Sequence, residues 1–132
     1  MVLVLSSLDS SRKIHKLLCM CNPQYTKEIE KSLKERFPHC SIACSSDILI
    51  EIMNEGVTKA DAINHLCDYY SMSKQDIVAF GDNYNDKEML ESVGMGIAMG
   101  NAPEDIKKIA SDVTSTNNQD GIFKALQKLN II

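Results

Sequence analysis

Ile77-Val78-Ala79-Phe80-Gly81-Asp82-Asn83-Tyr84-Asn85-Asp86 is a short apolar run that ends abruptly in carboxylates and amides around one glycine. The pattern reads as a strand whose tip carries polar chemistry. In an open α/β sheet, ligands sit in the crevice beyond the carboxyl ends of parallel strands, where Asp82, Asn85 and Asp86 would project. Carboxylate oxygens are hard ligands suited to magnesium, which keeps several waters and shares its shell with a substrate phosphate. The first expectation is therefore a phosphate-handling Mg2+ site. The plain alternative is a solvated turn whose Asp and Asn merely cap the next helix.

Outward from this stretch, strands and helices alternate. Upstream, Thr58 can cap a helix whose buried stripe is Ala62, Ile63, Leu66, Cys67 and Tyr70. Downstream, Met89, Leu90 and Val93 mark a short helix, Met95 to Met99 a strand, and Asn101 caps a helix through Ile106, Ile109 and Ala110. A short strand at Asp112 to Thr114 and a last helix from Gly121, carrying Ile122, Ala125, Leu126 and Leu129, complete the half. Such alternation predicts a mostly parallel sheet with right-handed crossovers. The glycines between Gly94 and Gly100 would let a strand end pass close to the site. They lie before and within a strand, so they are not a dinucleotide fingerprint.

The first half has a different grammar. Ile14 to Cys21 contains a compact apolar run, Asn22-Pro23 signals a helix start, and Tyr25, Ile29, Leu33 and Phe37 recur every fourth residue before Pro38 stops the helix. Ser41 to Ser45 and Ile48 to Met53 then read as a hairpin around Ser46-Asp47.

Composition narrows the function. With 132 residues, 44% of them hydrophobic, the chain has the makings of one modest globular unit, and its net charge of -4 disfavours nucleic acid as a partner. Met1 to Leu5 is too short an apolar run for a membrane span or a signal peptide, so a cytoplasmic location is expected. The five cysteines, Cys19, Cys21, Cys40, Cys44 and Cys67, are odd in number and read as buried thiols without disulfides. The spacing of Cys19, Cys21, Cys40 and Cys44 lacks the paired knuckles of a zinc site.

Several side chains are candidates for chemistry. Lys59 follows Gly56-Val57-Thr58 at a helix start, where N-terminal amides favour an anion and a lysine can complete a phosphate pocket. It can equally be an ordinary surface lysine. Asp82 is placed to ligate a cation, and Asn85 to donate to phosphate. Asp86 could bind the cation through water, support Lys59 and its neighbours, or act as a helix N-terminal acid; the supporting role is favoured.

Taken in order, Gly56-Val57-Thr58-Lys59, Gly81-Asp82-Asn83-Tyr84-Asn85-Asp86, Met99-Gly100-Asn101-Ala102-Pro103, Val113-Thr114 and Asp120-Gly121 resemble the closing motifs of Cof-type haloacid dehalogenase-like phosphatases with a class IIB cap. The resemblance covers Ile14 to the end; Ala60 departs from it, since relatives commonly have glycine after the lysine. It implies an α/β fold: a partial Rossmann-like parallel sheet with helices on both faces over residues 56–132, preceded by a βαββ remnant of the α+β cap over residues 1–55. It further implies that Lys59 stabilises a phosphoaspartate and contacts substrate, that Asn85 contacts the substrate phosphate, and that Asp82 ligates Mg2+ with Asp86 supporting the metal site.

Family members open with an apolar strand ending in Asp-x-Asp-Gly, whose first aspartate attacks phosphorus. This sequence has no such motif; Asp9, in Leu3-Val4-Leu5-Ser6-Ser7-Leu8-Asp9, is the only candidate and lacks both the second acid and the glycine. The chain therefore reads as the carboxyl-terminal part of a longer enzyme, with a small phosphorylated metabolite as substrate. Its uncovered sheet edge calls for the amino-terminal half or for self-association. Two other readings stand beside this one. A non-catalytic module would retain at most weak cation or phosphate binding. A receiver-like domain would need an early acidic pair that is not evident.

Overall fold

The computed structural model describes residues 14–132; Met1 to Leu5 and Asp9, on which two of the sequence readings fall, lie outside the described residues. Two sheets follow one another along the chain. The first is antiparallel: β1 (Leu17–Met20), β2 (Cys40–Ser46) and β3 (Leu49–Asn54) are ordered β1-β3-β2. Helix α1 (Thr26–Arg36) enters through a 3-10 turn that Asn22 caps by accepting from the Gln24 N–H, with Pro23 at the first position, as those residue types dictate. Ile29 and Leu33 pack on Ile42, Cys44 and Ile50, which strand alternation sends to one face. Tyr25 and Phe37, the outer members of the predicted stripe, are exposed at the helix ends.

The β2–β3 pairing is not regular. Its register shifts between Cys44 and Ser46, so Ser45 falls out of the ladder.

The second sheet is parallel, ordered β4-β5-β6, with β4 at Val78–Gly81, β5 at Met95–Ala98 and β6 at Asp112–Val113. Around it lie α2 (Lys59–Tyr70), α3 (Lys87–Ser92), α4 (Glu104–Ile109) and α5 (Gly121–Lys128). Leu90, Ala98, Ala102 and Ile106 form its core, joined by Met89 and Ile109. Gly96 explains how tightly α3 sits on β5: a Cβ there would lie 2.1 Å from the Leu90 carbonyl oxygen, so only glycine fits. Its role is thus helix packing, not an approach to the site.

The structure corrects three further expectations. In α2 only Cys67 of the predicted stripe is buried; Leu66 is 49% and Tyr70 65% exposed, because no described element covers that face. Of the five thiols, Cys44 and Cys67 are buried while Cys19, Cys21 and Cys40 are half-buried; all five are free. Asn101 does not cap α4, whose cap position is Pro103 and carries no side-chain bond. No helix among the described residues is long and apolar enough to cross a membrane.

Candidate active site

The site is built at the tip of β4. The strand ends at Gly81, and the next residues fold back as a 3-10 turn, Tyr84–Asp86, before α3 begins. Asn83 starts that turn by accepting from the Tyr84 N–H at 2.8 Å. Asp86 reaches back in return, its Oδ2 accepting from the Asp82 N–H at 2.9 Å and the Asn83 N–H at 3.3 Å. This reciprocal capping satisfies the donors of a tight turn. It also requires Gly81, since a Cβ there would meet the Asp86 Cβ at 2.6 Å.

The other oxygen of Asp86 takes Lys59. Thr58 caps α2 by accepting from the Asp61 N–H at 3.1 Å, which sets Lys59 on the first helical residue, and its Nζ forms an ion pair with Asp86 Oδ1. The pair is asymmetric: the Asp86 side chain is 4% exposed and that of Lys59 52%. Both oxygens of Asp86 are thereby engaged, the geometry of a residue that orders the loop and the lysine together. Asp82, by contrast, is exposed at the strand tip.

Lys59, Asp82 and Asn85 line one open cleft of about 1410 Å3, whose far wall is the antiparallel unit, including Ala43, Glu51 and Met53. The sequence-derived residues thus converge. Glu30 and Cys44 line the same cleft on the α1 side. Burial pushes the Cys44 thiol up to about 12, aided by its hydrogen bond to Glu30 Oε2 at 3.0 Å. Burial also pushes Glu30 upward, but hydrogen bonds from Lys34 and Cys44 outweigh it and hold the carboxyl below its ordinary value. Cys44 is consequently a neutral thiol, inert as a nucleophile.

Two residues matter here that sequence reasoning assigned elsewhere or not at all. Asn101 donates from Nδ2 to Asp82 Oδ2 at 3.0 Å and accepts at Oδ1 from the Asn117 N–H at 3.1 Å. Asn83 donates from Nδ2 to the Ser45 carbonyl at 2.9 Å, joining the strand tip to the antiparallel unit. Both contacts span long separations that no local capping rule registers; the only signal was that Asn101 and Asn83 fall inside the recognised motifs.

The residues suit a hard cation in kind, an exposed carboxylate flanked by amides. They do not form a complete shell: among the described residues no group of three or more His, Cys, Asp or Glu side chains is placed to share a metal. Sulfur chemistry is no nearer, since Cys19 Sγ and Cys21 Sγ approach to 3.6 Å without a third ligand.

The profile described as haloacid dehalogenase-like hydrolase matches residues 3–126. The chain belongs to that family. A putative phosphatase of Haemophilus influenzae is 44% identical over 119 residues, which are 90% of this chain and 45% of that protein. A 5-amino-6-(5-phospho-D-ribitylamino)uracil phosphatase of Bacillus subtilis is 44% identical over 80 residues, 61% of this chain and 30% of its own. Among solved structures, a sugar phosphatase of haloacid dehalogenase subclass IIB superimposes with a TM-score of 0.81 at 28% identity, over 92% of this chain and 45% of the other. The haloacid dehalogenase-like chain thus spans about half the length of these full-length relatives or less.

Proposed function

We propose that the chain is the carboxyl-terminal portion of a Mg2+-dependent phosphatase that hydrolyses small phosphomonoesters, sugar phosphates among them, in the cytoplasm. Residues 1–55 would be the tail of the cap and residues 56–132 half of the hydrolase core. The single observation that carries the reading is the convergence of Lys59, Asp82 and Asn85 on one cleft, with Asp86 tying Lys59 to the backbone of the loop that presents Asp82.

Each residue has a role that its environment supports. The half-exposed Lys59 ammonium is held by Asp86 beside the cleft, where it lowers the cost of charge developing on a transferring phosphoryl group. Asn85 lines the cleft and can donate its amide to a phosphate oxygen. Asp82 would hold Mg2+, which when bound neutralises phosphate charge. Asp86 orders rather than reacts, because both its oxygens are committed. The covalent step, attack by an aspartate on phosphorus with loss of the alcohol and later release of phosphate to water, would use a carboxylate outside residues 14–132.

The outer edge of β4 is unpaired among the described residues, and the exposed Leu66 and Tyr70 face of α2 is uncovered. The amino-terminal half, or a second copy, would cover them. A second reading, a module that binds but does not turn over, is favoured by the incomplete acid set around Asp82.

One experiment separates the two. The chain is mixed with the amino-terminal portion of the Haemophilus relative and assayed on p-nitrophenyl phosphate with and without Mg2+. Mg2+-dependent turnover that Lys59→Ala and Asp82→Asn abolish supports the phosphatase reading, whereas no turnover in the mixture supports the module. Turnover by the chain alone that survives Asp9→Asn would defeat the account of the nucleophile.

A further inference from the structure

We propose that Asn101 is a positioning residue that fixes the carboxylate of Asp82 for cation binding. The inference rests on the reading of Asp82 as a cation ligand. Asp82 stands alone at an exposed strand tip, and a free carboxylate there would sample several rotamers. Asn101 ties one of its oxygens, donating from Nδ2 to Oδ2 at 3.0 Å, while Oδ1 accepts from no group among the described residues.

The tie is itself held. Asn101 Oδ1 accepts from the backbone N–H of Asn117 at 3.1 Å. A backbone N–H can only donate and a carboxylate can only accept, so the amide of Asn101 has a single orientation that satisfies both. The relay links three successive strand tips: Asp82 follows β4, Asn101 follows β5, and Asn117 opens the 3-10 turn after β6. Partners that orient a metal ligand in this way typically change metal affinity by about 10-fold to 100-fold when removed.

The test is a Mn2+ titration of the whole chain, with free Mn2+ read by electron paramagnetic resonance and folding by circular dichroism. Asp82→Asn is expected to abolish site binding and Asn101→Ala to weaken it about 10-fold or more without moving the melting midpoint. Asn117→Pro removes the N–H that orients Asn101, with Asn117→Ala as the control for loss of the side chain; Thr116 is extended at ψ 164, as a residue before proline must be, and the position is the first of its turn. It is expected to weaken binding while Asn117→Ala, which keeps the N–H, leaves it unchanged. If Asn101→Ala does not fold, Asn117→Pro decides alone. Unaltered affinity in Asn101→Ala or Asn117→Pro, with binding lost in Asp82→Asn, overturns the role of Asn101 and leaves the cation reading standing. No binding by the wild-type chain, or binding that Asp82→Asn does not reduce, overturns both.

Discussion

Asp86→Ala should unfold the strand tip, and the cost can be worked out bond by bond. The Asp86 carboxylate is buried and accepts from two backbone N–H groups, at 2.9 and 3.3 Å. Hydrogen bonds to a charged group contribute about 1.5–3 kcal/mol each, and the longer bond belongs at the lower end. The ion pair adds less, since Lys59 is half in water and such pairs are screened to about 0–1 kcal/mol. The sum is about 3–5 kcal/mol, large against the 5–15 kcal/mol of a whole domain. Urea unfolding followed by circular dichroism reads the total, and hydrogen exchange at the Asp82 and Asn83 amides reads the local part. Lys59→Met should cost clearly less than Asp86→Ala, because the backbone donors keep their acceptor. Equal losses in the two variants would show that the ion pair, not backbone acceptance, holds the loop; a loss under about 1 kcal/mol for Asp86→Ala would show that the turn needs neither.

Other perturbations address separate features. Gly81→Ala drives a methyl to 2.6 Å from the Asp86 Cβ and should cost about 1–3 kcal/mol in the same urea assay, with faster exchange at Asp82; an unchanged midpoint would mean that the turn shifts freely. Stability of the antiparallel unit should fall as pH rises from 9.0 towards 12. The Cys44 thiol is raised from 9.0 to about 12 and that of Cys21 from 9.0 to about 11, so the folded state holds protons that the unfolded state releases across that window, and Cys44→Ala should reduce the decline while leaving the part due to Cys21. Asn83→Ala removes both the cap of the 3-10 turn and the bond to Ser45; a loss of about 1 kcal/mol is expected, with faster amide exchange at Tyr84, and unchanged exchange would contradict the capping role.

Much of the site was legible because its residues are close in sequence or stand at element boundaries. A glycine ending an apolar run, followed by acids and amides, can be read as a strand tip without coordinates, and Thr58-Lys59 as a helix start. Asn101 was misread for the same reason: local rules make an asparagine before Ala-Pro a helix cap, whereas its side chain turns to an acid 19 residues upstream. The α2 stripe shows the opposite limit. Ala62, Leu66 and Tyr70 have helical spacing, and α2 is a helix, but periodicity predicts which face seeks cover and not whether described residues supply it. The parallel pairing of β4, β5 and β6 followed from alternation with helices. The bulge in β2 left no mark on its pattern of small and apolar residues.

That bulge sits where the two halves of the molecule touch. β2 is the outer strand of its layer, so alternate carbonyls along it already face away from β3. At the skipped Ser45 one such oxygen takes the Asn83 amide, whose residue directly follows the acid at the strand tip. Deleting residue 45 to regularise the hairpin would remove that acceptor and with it this bond between the layers. A local irregularity thereby carries a stitch between the two layers.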